Sequence, residues 1–596
     1  MKTYSFNQVE LTGGYLFEKQ NLNRNITIPS VYDRFFETGR IKAFNFDYKP
    51  GDACKPHIYW DSDVAKWIEG AAYTIRNHPD ASISEKIDDL VKKIKENQCE
   101  DGYFNIYFTV VEPSGRWKAR EKHELYCAGH LMEAAVAYAE ASGKRDLLDC
   151  MEKYADYINQ VFIVEKSADF RTPGHEEIEL ALVRMYRYTG KKKYLDMAAY
   201  FINTRGAVEE QKATFCDQSH LPVREQNEAV GHAVRALYLY TGMAYVANET
   251  QDESLLAACK VLWEDVTKRK MYITGGVGST NVGEAFTTAY DLPNDTAYTE
   301  TCAAIALMFF GNAMLATENN AEYADVIERA LYNGVLSGLS VDGKKFFYTN
   351  PLEINLSDRY ETSHGKRALP ITQRPAIFNC SCCPPNVNRL LASLGNYIYG
   401  HDGDTLYVNQ YVASKLDGGD VSCTVETEYP IGSTVKITAT GAGRVAVRIP
   451  SWCRKFSVNK SYVSENGYAV MKNDGSEITV TFDMTPTANF ANTRVFRDIG
   501  KLCITRGPIV YCAESVDNGA YLHDFLIPTD FICTEQIDEA FGLPTLNIQA
   551  FKRVNESTDL YSHTAPRLES AELKLIPYSC FANRGETDML VWFFAK

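Results

Sequence analysis

The chain predicts a mainly α protein with β: one large helical domain followed by two smaller antiparallel β domains. Three observations carry this. Up to about residue 399 apolar residues recur at i, i+3, i+4 and i+7, the period of an amphipathic helix. Near Gly400 the pattern switches to short alternating runs broken by Gly, Pro, Asn and Asp. A second break falls at Arg497–Lys501, "RDIGK", and further alternating runs follow it. The expected domains are therefore 1–399, 400–499 and 500–596.

The helical part is organised in pairs. "HLMEAAVAYAEASGKRDLLDCMEKYADYI" begins at His130, breaks at Ser142-Gly143 and resumes. "EEIELALVRMYRYTGKKKYLDMAAYFI" begins at Glu176 and breaks the same way at Thr189-Gly190. A third unit starts at Gly231 and runs to Val266. Glycine just past a periodic run is a helix stop, because it takes the left-handed cap without penalty. These are successive helical hairpins, and each needs its neighbours to bury its apolar face. A closed ring of hairpins, an (α/α) barrel, fits a segment of this length; an open solenoid is the alternative. After Gly400, "VSCTVETEY", "STVKITATG", "RVAVRIPSW" and "SEITVTFDM" read as antiparallel strands of a β-sandwich.

Composition narrows the function. Hydrophobic residues make up 45% and charged residues 23%, as in soluble globular proteins. The net charge of −15 argues against a nucleic-acid or anionic-membrane partner. No apolar run is long enough to span a bilayer, and "MKTYSFNQVELTGGYLFEK" has no apolar signal core. A cytoplasmic location is the expectation. The 37 tyrosines suit sugar surfaces, since a ring stacks on C–H faces while its hydroxyl bonds.

Sixteen cysteines are scattered along the chain, and most read as small buried hydrophobes. "NCSCCPPNVNRLLASLG" is different: Cys380, Cys382 and Cys383 precede Pro384-Pro385. Prolines are tolerated in the first turn of a helix, and Val387, Leu390, Leu391 and Leu394 then form an apolar stripe. The thiols thus sit at a helix start, where the partial positive charge favours thiolate. Three readings compete: a redox pair of Cys380 and Cys383, simple packing, or a metal site. A metal needs more ligands, and "NDTAYTETCAAIALMFF" offers Glu300 and Cys302. Residues i and i+2 face one side of an extended segment, and a helix follows from Ala303. Three thiolates and a carboxylate favour Zn²⁺.

His130, His175 and His232 stand at the starts of the helical units. They read either as core or capping residues, or as neutral imidazoles converging on one mouth to bind sugar hydroxyls. "GGVGSTNVGEAF", Gly275–Phe286, is glycine-rich but lacks the Gly-Lys-Ser/Thr of a phosphate loop, so nucleotide binding is rejected. Its Glu284 lies beside Ala285 and Phe286, and apolar neighbours are expected to raise its pKa to that of a general acid.

Taken together, "PHIYWDSDVAKWIEGAAY", "HELYCAGH", "PGHEEIELALVRMYR", "GEAF", "YDLPNDTAYTETCA", "FFYTNPL" and "CSCCPPNVNRLLASLG" resemble glycoside hydrolase family 127, whose best-known activity is β-L-arabinofuranosidase. The resemblance runs from about residue 56 through the helical region and is weaker in the β domains. It implies an (α/α)6 barrel catalytic domain followed by two β-sandwich domains. It implies a zinc held by Glu300, Cys302, Cys382 and Cys383, with Cys382 as nucleophile and Glu284 as acid/base. It carries substrate contacts to His130, His175, His232, Tyr348 and Glu328. It implies arabinofuranose-containing glycosides as substrates and a homodimer as the assembly. Related enzymes act on 3,6-anhydro sugars. A noncatalytic glycan-binding protein with a structural zinc is the reading from another class.

Overall fold

In the computed structural model, which describes residues 1–211, 214–359 and 369–596, the glycine stops become left-handed caps. Gly143 has φ +72° and its N–H reaches Ala139 O at 2.9 Å; Gly190 has φ +69° and reaches Tyr186 O at 2.8 Å. Twelve α-helices of nine residues or more form among the described residues. They are α1 Ile28–Glu37, α2 Trp60–Asn77, α3 Ala81–Asn97, α4 Glu124–Ser142, α5 Asp146–Asn159 and α6 Ile178–Thr189. Then come α7 Lys192–Thr204, α8 Ala233–Thr250, α9 Glu253–Asp265, α10 Thr301–Thr317, α11 Ala321–Arg329 and α12 Cys383–Ala392.

The even-numbered helices are the inner ones. α2 packs on α4, α4 on α6, α6 on α8, α8 on α10, α10 on α12, and α12 returns to α2. The odd-numbered helices lie outside, each against its hairpin partner, with α1 against α2 and α12. Position explains composition. α10 carries no charged residue and is buried on nearly every side, as a helix enclosed by others must be. The outer α5 instead keeps Leu147, Leu148, Met151, Tyr154, Ala155 and Ile158 on one buried face.

The β region alternates as the sequence predicts. In Thr434–Thr440, Val435, Ile437 and Ala439 are buried while Lys436, Thr438 and Thr440 point out, and Ile437 pairs with Val425 across the sheet. The strands form two six-stranded sheets and one ten-stranded sheet. The partition at 399 and 499 cuts across all three. Lys2–Thr3 pairs with Tyr399–Asp402, and Val9–Gly13 pairs with Ala413–Asp417, so both six-stranded sheets take an edge strand from the N-terminus. The ten-stranded sheet takes Glu353–Ile354 from the helical segment and Thr487–Asn489 from before residue 500. Strands this short have no readable alternation, and only their partners define them.

Glu328 requires a correction. The resemblance puts it near the sugar, but α11 carries it to the seam between the helices and a six-stranded sheet. There it accepts from Arg448 Nη2 at 2.6 Å, from Tyr429 O–H at 2.6 Å and from Trp452 Nε1 at 3.0 Å. The carboxylate is 1% exposed and committed to holding the two layers together. Among the described residues no helix is long and apolar enough to cross a membrane.

Candidate active site

A cavity of about 330 Å³ opens where the inner helices begin. The residues capping the N-termini of five of the six inner helices line it: Tyr59, His123, His232, Glu300 and Cys382. His175, just before α6, lines it too. The partial positive charges of these helix starts therefore converge on one space, which favours anionic groups there.

The two thiol-bearing segments meet, but not through the extended stretch that the spacing predicts: the helix begins at Thr301, two residues before Ala303, and takes Cys302 into its first turn with Glu300 as the cap. Glu300 is in extended backbone bridged to Thr349, and the Thr301 N–H bonds to Tyr348 O at 2.8 Å. Gly278, at φ +98°, lets the glycine-rich loop pass this strand; a Cβ there would lie 2.7 Å from Tyr298 O. Pro384-Pro385 opens α12 and places Cys382 and Cys383 opposite. Cys302 Sγ lies 3.3 Å from Cys383 Sγ and 3.7 Å from Cys382 Sγ, and the latter two are 3.7 Å apart. Glu300 Oε1 is 3.5 Å from Cys382 Sγ and 3.8 Å from Cys383 Sγ. A tetrahedron with metal–sulfur bonds of about 2.3 Å has edges of about 3.8 Å. The donor set fits a four-coordinate ion. Burial, and then neighbouring thiols, push the Cys383 thiol up; burial, and then the Cys382 charge, push the Glu300 carboxyl up. Burial acts against Cys302 as well, but its contacts with Cys382 and Cys383 outweigh it and hold that thiol at about 6. All sixteen cysteines are free thiols, so the cluster is no disulfide.

Beside this cluster stands Glu284, in a turn where it has φ +52° and Gly283 has φ +69°. The turn is tied to the start of α8: Ala285 bridges His232, and the Phe286 N–H bonds to Gly231 O at 2.9 Å. Glu284 Oε2 accepts from Tyr348 O–H at 3.1 Å and faces His232 Nε2 at 3.3 Å. His232 Nδ1 accepts from the Val234 N–H at 3.2 Å, so in the neutral ring the proton sits on Nε2, toward Glu284. The sequence predicts a raised carboxyl. Burial does push it up, but the hydrogen bonds from His232 and Tyr348 outweigh burial, and the net shift is downward. The cause is that its near neighbours are donors, not Ala285 and Phe286.

The histidines divide. His175 and His232 line the cavity; His130 does not. His130 is fully buried behind Tyr126, 4.6 Å ring to ring, with Nδ1 3.0 Å from Glu177 Oε1. The third imidazole at the cavity is His123, which the sequence reading passes over. The signal lies in "HELYCAGH" itself. Seven helical residues advance about 10.5 Å, so the His at the helix start is at the mouth and the one two turns on is inside. Burial and Arg235 hold His123 down to about 3, and burial first, then Arg235, lower His175. His232 is lowered by burial against the pull of Glu284. All three are neutral near pH 7. His175 Nδ1 lies 2.9 Å from Glu176 O, which can only accept, so its Nε2 is free to accept from a hydroxyl. Tyr126, Tyr238, Arg235, Cys216, Cys380 and Asp63, the last held by Arg40 Nε at 2.9 Å, also line it, and of these the sequence singles out Cys380 alone.

The chain as a whole has known relatives. Residues 8–396 match the model for the β-L-arabinofuranosidase GH127 catalytic domain, 405–484 that for the GH127 middle domain, and 486–594 that for the glycoside hydrolase family 127 C-terminal domain. A non-reducing end β-L-arabinofuranosidase of Bifidobacterium longum subsp. longum is 37% identical over 590 residues, spanning 90% of this chain and 89% of that one. The solved structure of Ara127N-Se, a GH127 β-L-arabinofuranosidase from Geobacillus stearothermophilus T6, superposes with a TM-score of 0.92 at 41% identity, covering 99% of this chain and all of the other (100%). The GH127 β-arabinofuranosidase BT3674 gives 0.90 at 35% identity, with 100% and 98% covered. With every segment of the chain matched in order, the protein belongs to glycoside hydrolase family 127.

Proposed function

We propose that this glycoside hydrolase is a zinc-dependent retaining exo-glycosidase that releases terminal L-arabinose from β-L-arabinofuranosides. The observation that carries the reading is the pairing, in one cavity, of the Cys382 thiol with the Glu284 carboxylate. Relatives whose names state this activity support the substrate class. Small-ligand cavities run from about 300 to 1,000 Å³; this one is at the lower end and suits a single terminal sugar. The ring of inner helices reads as an (α/α)6 barrel, and the β regions read as sandwich domains. The free thiols suit a reducing compartment such as the cytoplasm.

Glu300, Cys302, Cys382 and Cys383 would hold the zinc. Bound there, zinc supplies a Lewis-acidic cation that keeps the sulfurs deprotonated at neutral pH. Cys382 attacks the anomeric carbon, a C–S bond forms, and the C–O bond to the aglycone breaks. Glu284 gives its proton to the leaving oxygen, then takes one from the incoming water as the C–S bond is cleaved. Two displacements at one carbon retain configuration. The acid role needs a protonated Glu284. Glu300 Oε lies within 4.8 Å of it, and four anionic ligands around a dication leave net negative charge beside it, which favours the proton. His123, His175, His232 and Tyr348 line the sugar's side, with neutral rings that donate and accept without a fixed charge.

The test is release of chromophore from an aryl β-L-arabinofuranoside, with zinc quantified in the same sample, alongside 3,6-anhydrogalactosides. Turnover of the arabinofuranoside with about one zinc per chain is expected. A zinc-loaded chain that binds arabinofuranosides but releases nothing is a binder, and the catalytic reading fails. Full activity in Cys382→Ser removes the nucleophile assignment.

A further inference from the structure

Two tyrosines form the floor of the cavity. Tyr126 is the third residue of α4 and Tyr238 the sixth of α8. They lie about 4.5 and 9 Å further along those helices than the capping histidines at the mouth. Both line the cavity, and they are only 6% and 1% exposed.

Each phenol oxygen is occupied from behind. The buried Lys66 Nζ donates to the Tyr126 oxygen at 2.8 Å. Arg389 Nη2 donates to the Tyr238 oxygen at 2.9 Å, and Asn386 Nδ2 reaches it at 3.4 Å. Asn386 is fixed in that orientation because its Oδ1 accepts from Arg389 Nε at 2.6 Å. Ammonium, guanidinium and amide NH₂ groups donate and cannot accept. The phenol protons must therefore point away from them, and among the described residues neither proton meets an acceptor. A buried donor left without an acceptor is costly, and a ligand in the cavity can remove that cost.

A third group faces the same floor. The His175 ring lies 4.2 Å from the Tyr126 ring and 6.1 Å from the Tyr238 ring, centroid to centroid. Its Nδ1 is turned to Glu176 O, which leaves Nε2 to accept. Two donors and one acceptor are the complement of a single hydroxyl group, which accepts two hydrogen bonds and donates one. Ether, carboxylate and sulfate oxygens have no proton to give His175.

We infer that Tyr126, Tyr238 and His175 form a hydroxyl-reading subsite: both phenols donate to one free hydroxyl of the terminal sugar, and that hydroxyl donates to His175 Nε2. This rests on the exo-glycosidase reading above and adds a specificity to it. A sugar whose floor-facing oxygen is closed into an anhydro bridge accepts from the tyrosines but leaves His175 unbonded.

The test is kcat/KM of the full chain on an aryl β-L-arabinofuranoside and on its 2-, 3- and 5-deoxy analogues. Tyr126→Phe and Tyr238→Phe keep each ring and remove its donor. The parent chain is expected to lose on the order of 10²-fold or more on one analogue. Each Phe variant is expected to lose on the order of tenfold on the complete sugar, and to match the parent chain on that one analogue, where the hydroxyl is already missing. A loss of equal size on all the substrates marks a structural effect and overturns the inference. So does a pair of Phe variants that couple to different hydroxyls, or that lose nothing on the complete sugar. Undiminished activity of the parent chain on every analogue overturns it as well, whether or not a variant folds. A parent chain that releases nothing from the complete sugar overturns the glycosidase reading, and this inference with it.

Discussion

The helix ring has a cavity at each end, and the two are built from opposite chemistry. At the C-terminal ends of the inner helices a space of about 390 Å³ is lined by Glu69, Tyr73, Glu133, Arg184 and Arg389. At the N-terminal ends the smaller space, about 330 Å³, holds the thiols, Glu284 and the histidines. In the first, Glu69 and Glu133 each take two arginines, Arg389 and Arg184, and Arg389 also donates to Tyr238 O–H at 2.9 Å, while Glu140 lines the same space with no ion pair among the described residues. In the second, Glu284 and Glu300 pair with no arginine or lysine among the described residues, and the three cavity histidines are neutral. Helix polarity accounts for the division. Carbonyl ends favour guanidinium, and amide ends favour thiolate and carboxylate. The proposed active site lies at the smaller end, where Glu284 and Glu300 are left without a cationic side chain, whereas Glu69 and Glu133 at the other end are already committed to arginines.

That contrast can be broken by substitution. The largest effect is expected for Cys382→Ser, which should lower kcat/KM on an aryl β-L-arabinofuranoside by on the order of 10⁴-fold or more. Glu284→Gln follows, at about 10²–10⁴-fold, with far-UV circular dichroism unchanged. At the opposite end, Arg389→Met leaves Glu69 and Glu133 each short of a cation. Breaking a buried pair costs about 3–5 kcal/mol, measured as a lower urea midpoint. A loss of kcat/KM in the folded Arg389→Met protein matching that of Glu284→Gln would erase the distinction between the ends.

Acid separates them further. The folded state holds His123 at about 3 against 6.5 in the unfolded chain. Above pH 6.5 neither state is protonated there and its contribution is constant. As pH falls toward 3 the unfolded chain takes up a proton that the folded one refuses, and stability is lost. His123 alone then costs about 2 kcal/mol at pH 5, at about 1.4 kcal/mol per pH unit. His175 and His232, also lowered, act in the same direction. His123→Gln should flatten the fall in Tm between pH 7 and 5; an unchanged slope contradicts an imidazole held neutral in the folded state. The smallest effect is expected for Glu328→Gln, about 1.5 kcal/mol from weakened bonds to Arg448, read as a lower Tm with kcat/KM retained. A selective loss of activity would return Glu328 to the sugar site.

Local features of the site are legible in the sequence. "CSCCPPN" announces a helix start carrying thiols, since two prolines cannot sit deeper in a helix. Glu300 and Cys302 announce a second start because the apolar run that follows them reads as a helix. The histidines are legible as a class but not individually: His123 and His130 belong to one motif, and only depth along α4 separates them. Glu284 is legible as a candidate but the direction of its acidity is not, because Tyr348 and His232 come to it from 64 and 52 residues away in the chain. Glu328 misleads because a carboxylate on an amphipathic helix looks the same whether it faces a sugar or an Arg from a later strand.

The sequence by itself determined most helix starts and stops, the β texture after Gly400, the thiol and carboxylate types of the candidate site, and the family. These follow from periods, caps and residue chemistry within a few neighbours. Only the tertiary structure decided that α12 closes on α2, and that strands from residues 2–13 complete the sheets. It also decided that Glu284 and Glu300 meet no arginine or lysine among the described residues, while Glu69 and Glu133 meet two arginines each. Such outcomes depend on contacts between residues far apart in the chain, where burial and pairing set each charge, and no local pattern records them.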